Sequence, residues 1–177
     1  MHAPIGLLYG TVSLAPHTPE WERLFAVEAA RLRAALAPWE CVVEHVGSTA
    51  VPDLAAKPII DIAVGVPAGT SPEAVVAPLV ALGYDYRGDA GAGGGRVFVR
   101  EAAPRVRTHH LHVVVLGGDQ WDRYLAFRDL LRVNSEARET YLRAKQALAA
   151  LHAGDRQAYT AGKAAVIARL LVDERRV

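Results

Sequence analysis

Cysteine and long apolar runs are nearly absent from this chain. Its single cysteine, Cys41, cannot form an internal disulfide and lies in an apolar, strand-like run, where a free thiol behaves as a small hydrophobic side chain. No stretch approaches the roughly 18 apolar residues that a membrane span needs. The first 14 residues contain no lysine or arginine of the kind that opens a secretory signal. These features predict a cytoplasmic protein without a membrane partner.

An excess of charge of either sign is missing as well. The chain has 20 Lys+Arg against 19 Asp+Glu, a net charge of +1, and no basic block. A protein that binds a duplex must neutralise many phosphates, so nucleic acid is not expected as a partner. Lysine is scarce, with three lysines against seventeen arginines, which we attribute to genomic composition with little functional meaning. The oligomeric state is not indicated.

The length and composition predict one globular domain over residues 1–177. A chain of 177 residues, 51% of them hydrophobic, can bury about two thirds of its unfolded surface without disulfides or a structural metal. Capping residues and apolar periodicity predict helices from Thr18-Pro19 to near Pro38, from Ser71 to Gly83, and over Asp119–Asn134, Ser135–His152 and Asp155–Asp173.

Strands are predicted from β-branched and alternating segments. These segments are Glu40–Val46, Pro58–Val66, Tyr84–Arg87, Arg96–Glu101 and Thr108–Leu116. Between the third and the fourth, the glycine-rich segment Gly88–Gly95 is interpreted as a mobile loop over a site. The fold class is therefore α+β, with a mixed sheet over about residues 40–116 and a helical part over about residues 119–173.

The segment from Glu44 to Val66 holds the most informative chemistry. One strand runs into Gly47-Ser48, and a later strand carries a single acidic residue, Asp61, between two isoleucines. Glycine allows a close approach to an anion, the neighbouring N–H groups and the Ser48 hydroxyl can bind phosphate oxygens, and a strand carboxylate can hold Mg²⁺. These parts suit phosphoryl or nucleotidyl chemistry. A simple β-turn followed by a solvated aspartate is the alternative.

The stretches HVGSTAVP at His45–Pro52 and AAKPIIDI at Ala55–Ile62 closely resemble the signature of the GrpB family of bacterial proteins. The strand His110–Val113 and the Tyr159/Lys163 pair agree with it, and the resemblance covers nearly the whole chain. That family is similar in fold to the nucleotidyltransferase superfamily. The resemblance implies a mixed sheet of nucleotidyltransferase type with flanking helices and a C-terminal helical bundle.

The resemblance also implies a nucleoside triphosphate as substrate and a pattern of phosphate and metal ligands. The pattern is Gly-Ser after one strand, an acidic pair on the next strand, and a third carboxylate on a later one. Gly47, Ser48 and Asp61 match it, and Thr49 follows them as a further phosphate-binding residue. The second acid of the pair is replaced by Ala63. Because one carboxylate seldom suffices for two metal ions, another residue supplies a ligand or catalysis has been lost.

Three histidines on one predicted strand bear on that choice. His110 and His112 point to one face, and His109 points to the other. If this strand neighbours the Asp61 strand, His110 or His112 could stand where the superfamily has its third carboxylate. We expect Asp61, His110 and His112 to be catalytic, with Asp61 and His112 binding Mg²⁺, Mn²⁺ or Zn²⁺. The alternative is one core histidine and others at the surface.

Two basic residues are further candidates. Lys57 precedes the Asp61 strand and Arg96 follows the glycine-rich segment, so either could neutralise a phosphate, although a solvated surface charge is the alternative for each.

Three functions compete. The first, which we favour, is a metal-dependent enzyme of nucleotidyltransferase type that acts on an unidentified small molecule. The second is a non-catalytic nucleotide-binding or partner-regulating domain, which the resemblance links to coenzyme A biosynthesis in some fusions. The third is a hydrolase or isomerase that uses His110 and His112 as acid–base groups.

Overall fold

The computed structural model describes residues 5–89 and 95–174. Its strands are Leu7–Leu8 (β1), Val42–Val46 (β2), Ile60–Val66 (β3), Asp85–Asp89 (β4), Arg96–Ala103 (β5) and Val106–Val115 (β6). Its α-helices are Glu20–Ala35 (α1), Val76–Ala81 (α2), Asp119–Val133 (α3), Ser135–Leu151 (α4) and Arg156–Glu174 (α5). Short 3-10 turns occupy Ala37–Trp39, Ser48–Ala50 and Pro72–Val75. No helix within these ranges is both long and apolar enough to cross a membrane.

The predicted α+β class is confirmed, and most element boundaries differ by one or two residues. The first β-strand after α1 starts later than predicted because Glu40 adopts a left-handed conformation (φ +50°) that ends the preceding 3-10 turn. The second predicted helix begins as a 3-10 turn and ends before Gly83, which has φ +90°. β1 was not predicted, because a strand of two residues is too short to show an alternation of apolar and polar side chains. The glycine-rich segment Gly88–Gly95 lies largely outside the described residues.

The sheet has the order β2-β3-β6-β5-β4, and β1 pairs with the start of β6. The pairing of β3 with β6 is parallel, and the other pairings are antiparallel. In the central pair, Asp61 lies opposite His110 and Ala63 opposite His112. Because side chains alternate along a strand, Asp61, Ala63, His110 and His112 share one face of the sheet.

The other face packs against α1 and α2. It carries the main apolar core, with Trp21, Leu32, Ile62, Leu111 and Phe98 almost completely buried.

The same side of the sheet holds a buried carboxylate, Glu28, which is 3% exposed. It accepts hydrogen bonds from the Tyr84 hydroxyl (2.9 Å), from Arg31 (2.7 Å) and from Arg100 (2.7 Å). Both of its oxygens therefore accept hydrogen bonds, from residues of α1, of β5 and of the position that precedes β4.

The face that carries Asp61 is covered by the C-terminal helices. A small apolar cluster of Val46, Ala63, Val114 and Trp121 joins the sheet to α3. A second cluster fixes the connection between β2 and β3 to the helices. Its members are Val51 and Leu54 from that connection and Phe127, Leu130, Leu131, Ala137, Tyr141 and Leu170 from the helices. The helical half is thus anchored directly to the segment that carries the sequence motif.

Glu28→Gln tests the buried network. Loss of the charged acceptor should lower the free energy of unfolding at pH 7 by about 2 kcal/mol. Burial would raise the pKa of Glu28, but hydrogen bonds from Arg31 and Tyr84 and the charge of Arg100 hold it below its ordinary 4.5. The stabilisation is therefore present above pH 4.5 and is lost as the pH falls further, so the difference from wild type should shrink there. Urea unfolding at neutral and acidic pH measures this, and exposed Glu22→Gln on the same helix should change nothing. An undiminished difference at low pH would contradict this account.

Candidate functional site

A cavity of about 560 Å³ lies between the Asp61 face of the sheet and helices α3, α4 and α5. Its size is that of a small-molecule site. Most of its polar wall is cationic or aromatic. The polar and aromatic residues that line it are Ser48, Thr49, Lys57, Asp61, His110, His112, Gln120, Arg123, Tyr124, Phe127, Tyr141, Lys145, Arg156, Tyr159, Thr160 and Lys163. Among these lining residues, Asp61 is the one carboxylate.

The structure brings Asp61, His110 and His112 together at this wall. Asp61 Oδ1 and His110 Nδ1 are hydrogen-bonded at 3.1 Å, and the Asp61 side chain keeps 34% of its surface exposed. Burial would raise the pKa of Asp61, but the hydrogen bond with His110 and the positive charge of nearby groups such as Lys163 hold it well below its usual range. Asp61 is therefore ionised at neutral pH.

His112 is a neutral histidine at the same wall. Burial lowers its pKa to about 4, against the opposing charge of Asp61. Its Nδ1 and the Nε2 of His110 are buried without a hydrogen-bond partner in the described part of the chain. His109 lies on the other face, buried, where burial lowers its pKa to about 4 as well. The three histidines therefore divide as the strand alternation predicts.

Gly47 is required by its contact with Asp61. Its backbone angles, φ +70° and ψ −168°, fall in a region that is essentially restricted to glycine. A Cβ atom at this position would lie 2.7 Å from Asp61 Oδ2 and 2.9 Å from Asp61 Cβ. The turn can therefore pass directly over the carboxylate only because it carries no side chain.

Ser48 and Thr49 follow Gly47 but differ in their environment. Ser48 is half-buried and lines the cavity, as does Tyr141. Thr49 is 2% exposed, and its hydroxyl is hydrogen-bonded to His45 Nε2 at 3.0 Å. Ser48 is thus placed to meet a ligand, whereas the Thr49 hydroxyl already has a partner.

Side chains from the helices hold the carbonyl groups of this connection. Arg128 Nη1 donates to His45 O at 3.1 Å, and Arg132 Nε donates to Ala50 O at 2.9 Å. Lys145 Nζ donates to Ala55 O at 2.5 Å. Because each bond joins a helix to the connection, the wall of the cavity is fixed from both sides.

All three lysines of the chain line this cavity. The ammonium groups of Lys57 and Lys163 lie over the Tyr159 ring, 5.0 and 5.1 Å from its centroid, and that of Lys145 lies 4.9 Å from the centroid of Tyr141. Burial and then the charge of Lys163 lower the pKa of Lys57 to about 8 and that of Lys145 to about 7. Two exposed or half-buried arginines, Arg123 and Arg156, add to this charge.

The sequence analysis named Lys57 as a candidate and noted the Tyr159/Lys163 pair, but it missed Lys145, Arg123 and Arg156. Lys145 and the arginines lie on helices that are remote in sequence, and no local motif marks them. The signal that could have indicated them was the scarcity of lysine, which the sequence analysis attributes to genomic composition. All three lysines line this one cavity. Arg96 is not brought to the cavity. It pairs with Val113 on the other face of the sheet, and its guanidinium binds Glu73 (2.6 Å) and Asp89 (2.8 Å).

The position of the missing second acid is closed by apolar packing. Ala63 is 0% exposed and contacts the cluster that contains Trp121. Two residues along β3, a Cβ on Gly65 would lie 2.9 Å from the Trp121 ring. The apolar cluster that contains Trp121 therefore occupies the face of β3 from which a second carboxylate would have to project.

A divalent metal of the kind that the nucleotidyltransferase pattern implies does not fit these residues. Such a site needs several oxygen ligands. Within residues 5–89 and 95–174, no three His, Cys, Asp or Glu side chains are grouped so that they could hold an ion. Asp61 is a single carboxylate that already binds His110, and positive side chains surround it. The predicted ligand pair Asp61 and His112 is thus an incomplete donor set.

The architecture is that of the nucleotidyltransferase fold. Solved structures of the poly(U) polymerase Cid1 share it, with a TM-score of 0.55 at 9% identity over 83% of this chain and 49% of that one. The chain itself belongs to the GrpB family, whose model matches residues 11–173. The crystal structure of GrpB from Enterococcus faecalis superimposes with a TM-score of 0.76 at 34% identity, covering 92% of this chain and 99% of that one.

The relatives in sequence include longer proteins. The protein PA4798 of Pseudomonas aeruginosa is 46% identical over 90% of this chain and 66% of its own length. The chain covers 44% of YqkA of Bacillus subtilis, at 33% identity. A dephospho-CoA kinase of Mycolicibacterium paratuberculosis is 31% identical over 86% of this chain, which spans 43% of that protein. A domain of this type is thus similar to part of several larger chains.

Gly47→Ala should displace the Asp61 carboxylate. We expect the free energy of unfolding to fall by about 3 kcal/mol, from backbone strain plus the collision. Gly69→Ala is the control, since Gly69 also has a positive φ (+87°) but no atom within 4 Å of the added Cβ, and it should cost about 1 kcal/mol. Urea unfolding measures both. Equal losses would show that the contact with Asp61 is unimportant.

Ala63→Asp tests whether a second acid can be accommodated. Because the added carboxylate would be buried against Trp121, we expect a loss of about 3 kcal/mol or more. Ala103→Asp at the exposed end of β5 is the control and should cost little. Thermal unfolding with and without Mn²⁺ provides the measurement. A stable variant that Mn²⁺ stabilises further would contradict the closed position.

Proposed function

We propose that this protein binds a phosphate-bearing small molecule, of the nucleotide class, in the cavity between the sheet and α3–α5. The observation that carries the proposal is the charge of the wall. Three lysines and two arginines line one cavity of about 560 Å³ together with a single carboxylate. Such a cluster is costly unless an anion occupies it, since like charges held near one another repel in a medium less polar than water.

The polar neutral groups support a phosphate as the anion. The Ser48 hydroxyl, the Thr160 hydroxyl and the Gln120 amide line the same cavity. The side-chain NH2 of Gln120 can donate to a phosphate oxygen, as can the two hydroxyls. Hydroxyl and amide groups beside ammonium and guanidinium groups are the usual donors to phosphate oxygens. The proposal that the ligand is a nucleotide depends on the similarity in fold to nucleotidyltransferases, and this similarity concerns the fold alone.

Binding without catalysis is the form of this function that the donor set favours. Metal-dependent nucleotidyl transfer stays a prediction. It is the less favoured one, because Ala63 stands where a second carboxylate would be needed and packs in the cluster that contains Trp121. The similarity to part of a dephospho-CoA kinase supports a role beside a nucleotide-using partner domain. A cytoplasmic location, suggested by the free Cys41, and the absence of a nucleic-acid or membrane partner also stay predictions.

Acid–base conversion of the bound molecule is the second candidate. The observation in its favour is the Asp61–His110 hydrogen bond beside a neutral His112. A carboxylate that fixes one ring nitrogen of a histidine is the arrangement by which enzymes orient a general base. Turnover of a bound phosphate ester that is lost in His110→Gln would support this candidate, whereas binding without turnover supports the first.

Removal of the cavity lysines should weaken phosphate binding. We expect Lys57→Met and Lys163→Met each to raise the Kd for ADP by about tenfold, the effect of losing one charge-assisted hydrogen bond. Arg143→Met is the control: it removes the same charge from α4, but Arg143 is exposed and lies outside the cavity. Isothermal titration calorimetry measures all three. Equal effects of the control and the cavity variants would contradict the site.

Binding should also weaken as the pH rises from about 7 to 9. Lys57, with a pKa lowered to about 8, faces Lys163 and Arg156 of α5, Arg107 of β6 and Asp61 of β3. Lys145, with a pKa lowered to about 7, faces Lys57, Lys163 and Asp61. Both lose their protons within this range, whereas the anion needs the protonated amines, so the Kd should increase. A Kd for ADP that is constant from pH 6 to pH 9 would exclude these lysines as ligands.

A further inference from the structure

We infer that the phosphate group enters this cavity without a divalent metal ion and is neutralised by lysine amines, so that the ligand class is a metal-free phosphate monoester. The inference rests on the proposed function and goes beyond it, because it names the form of the phosphate and the groups that replace the metal.

The first step concerns where the positive charge lies. Lys57 and Lys163 are held over the same Tyr159 ring. The Tyr159 side chain is 1% exposed, so the platform that positions both amines is fixed by packing. Lys57 comes from the segment between β2 and β3 and Lys163 from α5, so two separate parts of the chain deliver charge to one place. This is the charge that a metal ion would otherwise supply to phosphate oxygens.

The second step concerns the room beside Asp61. Gly47 lies against Asp61 on one side, where even a Cβ atom would be 2.7 Å from Oδ2. His110 is hydrogen-bonded to Oδ1 at 3.1 Å. Farther along β3, Trp121 covers Ala63. With Oδ1 hydrogen-bonded to His110 and no second carboxylate among the residues that line the cavity, Asp61 acts as the hydrogen-bond partner of His110 and as a counter-charge to the lysines.

The third step gives the ligand class. A triphosphate in the presence of Mg²⁺ holds the ion through its own oxygens. Those oxygens are then less able to accept from ammonium groups, and the complex carries less negative charge. A phosphate monoester binds Mg²⁺ weakly and presents three free oxygens. The lysine wall therefore favours the monoester, and it favours a triphosphate only when the metal is removed.

The test measures the Kd of AMP and ATP by calorimetry with the whole chain, in EDTA and in excess Mg²⁺. We expect both nucleotides to bind in EDTA. Mg²⁺ should weaken ATP binding by about tenfold or more and leave AMP binding within about twofold. ATP binding that requires Mg²⁺ would overturn the inference and leave the proposed function standing. Failure of wild type to bind either nucleotide in both buffers would overturn the proposed function itself.

Asp61→Asn provides an independent test, because a lysine-neutralised phosphate and a metal-bound phosphate predict opposite changes in nucleotide affinity. Asparagine can still accept from His110 through its side-chain oxygen but carries no charge. If the amines neutralise the phosphate, removal of the one carboxylate should tighten AMP binding in EDTA by about threefold or more. If Asp61 holds a metal, the same change should weaken nucleotide binding. Measurement at about pH 6 lies below the pKa of both Lys57 and Lys145 in wild type, and because the charge of Asp61 raises both of these pKa values, the measurement is repeated at a lower pH in the variant.

A variant that unfolds is recognised by its thermal unfolding without ligand. Lys163→Met in EDTA then serves as the second variant, because Lys163 is only half-buried on α5. It should lose about tenfold in AMP affinity. Unchanged AMP affinity in Lys163→Met would overturn the inference.

Discussion

Repulsion between like charges in a confined space is the constraint on which this structure depends. Five cationic side chains line one cavity with a single carboxylate. The consequence appears in the protein itself: burial and the charge of Lys163 lower the pKa of Lys57 to about 8 and that of Lys145 to about 7. Such a cluster lowers the stability of a fold, and it is retained when it contributes to the binding of a ligand. The electrostatics of the cavity are therefore the main basis for the ligand class that we propose.

The two faces of the sheet show how differently one chain can treat buried charge. On the α1 side, Glu28 is matched by Arg31, Arg100 and the Tyr84 hydroxyl, so the network is complete. On the other side, buried nitrogen atoms of His110 and His112 have no partner in the described part of the chain. A complete network stabilises the fold, whereas unmatched polar atoms reduce stability by about 1–3 kcal/mol each. Of the five such side-chain atoms among the described residues, three belong to residues that line this cavity, and the other two are Trp21 Nε1 and Arg107 Nε.

The sequence predicted the fold and one wall of the site, because both depend on local rules. Strand alternation alone placed His110 and His112 on one face and His109 on the other, as the register with β3 has it. The remaining wall depends on contacts between residues far apart in the chain. Lys145 reaches Ala55 across 90 residues, and nothing near it in the sequence indicates that α4 packs there. Arg96 was assigned to the site by its neighbourhood in sequence, but strand parity places it opposite Val113 on the far face.

Trp121 explains how a nucleotidyltransferase fold can keep the turn over Asp61 while losing the pattern around it. The indole packs against Ala63 and Gly65, so both positions need small side chains. A carboxylate at residue 63 would have to displace the indole and with it the start of α3, which carries Gln120, Arg123 and Tyr124 to the cavity. The absence of a second acid and the packing of α3 are thus linked through Trp121. Since α3 also holds the carbonyl groups of His45 and Ala50 through Arg128 and Arg132, the helix whose indole packs against Gly65 also fixes the wall of the cavity.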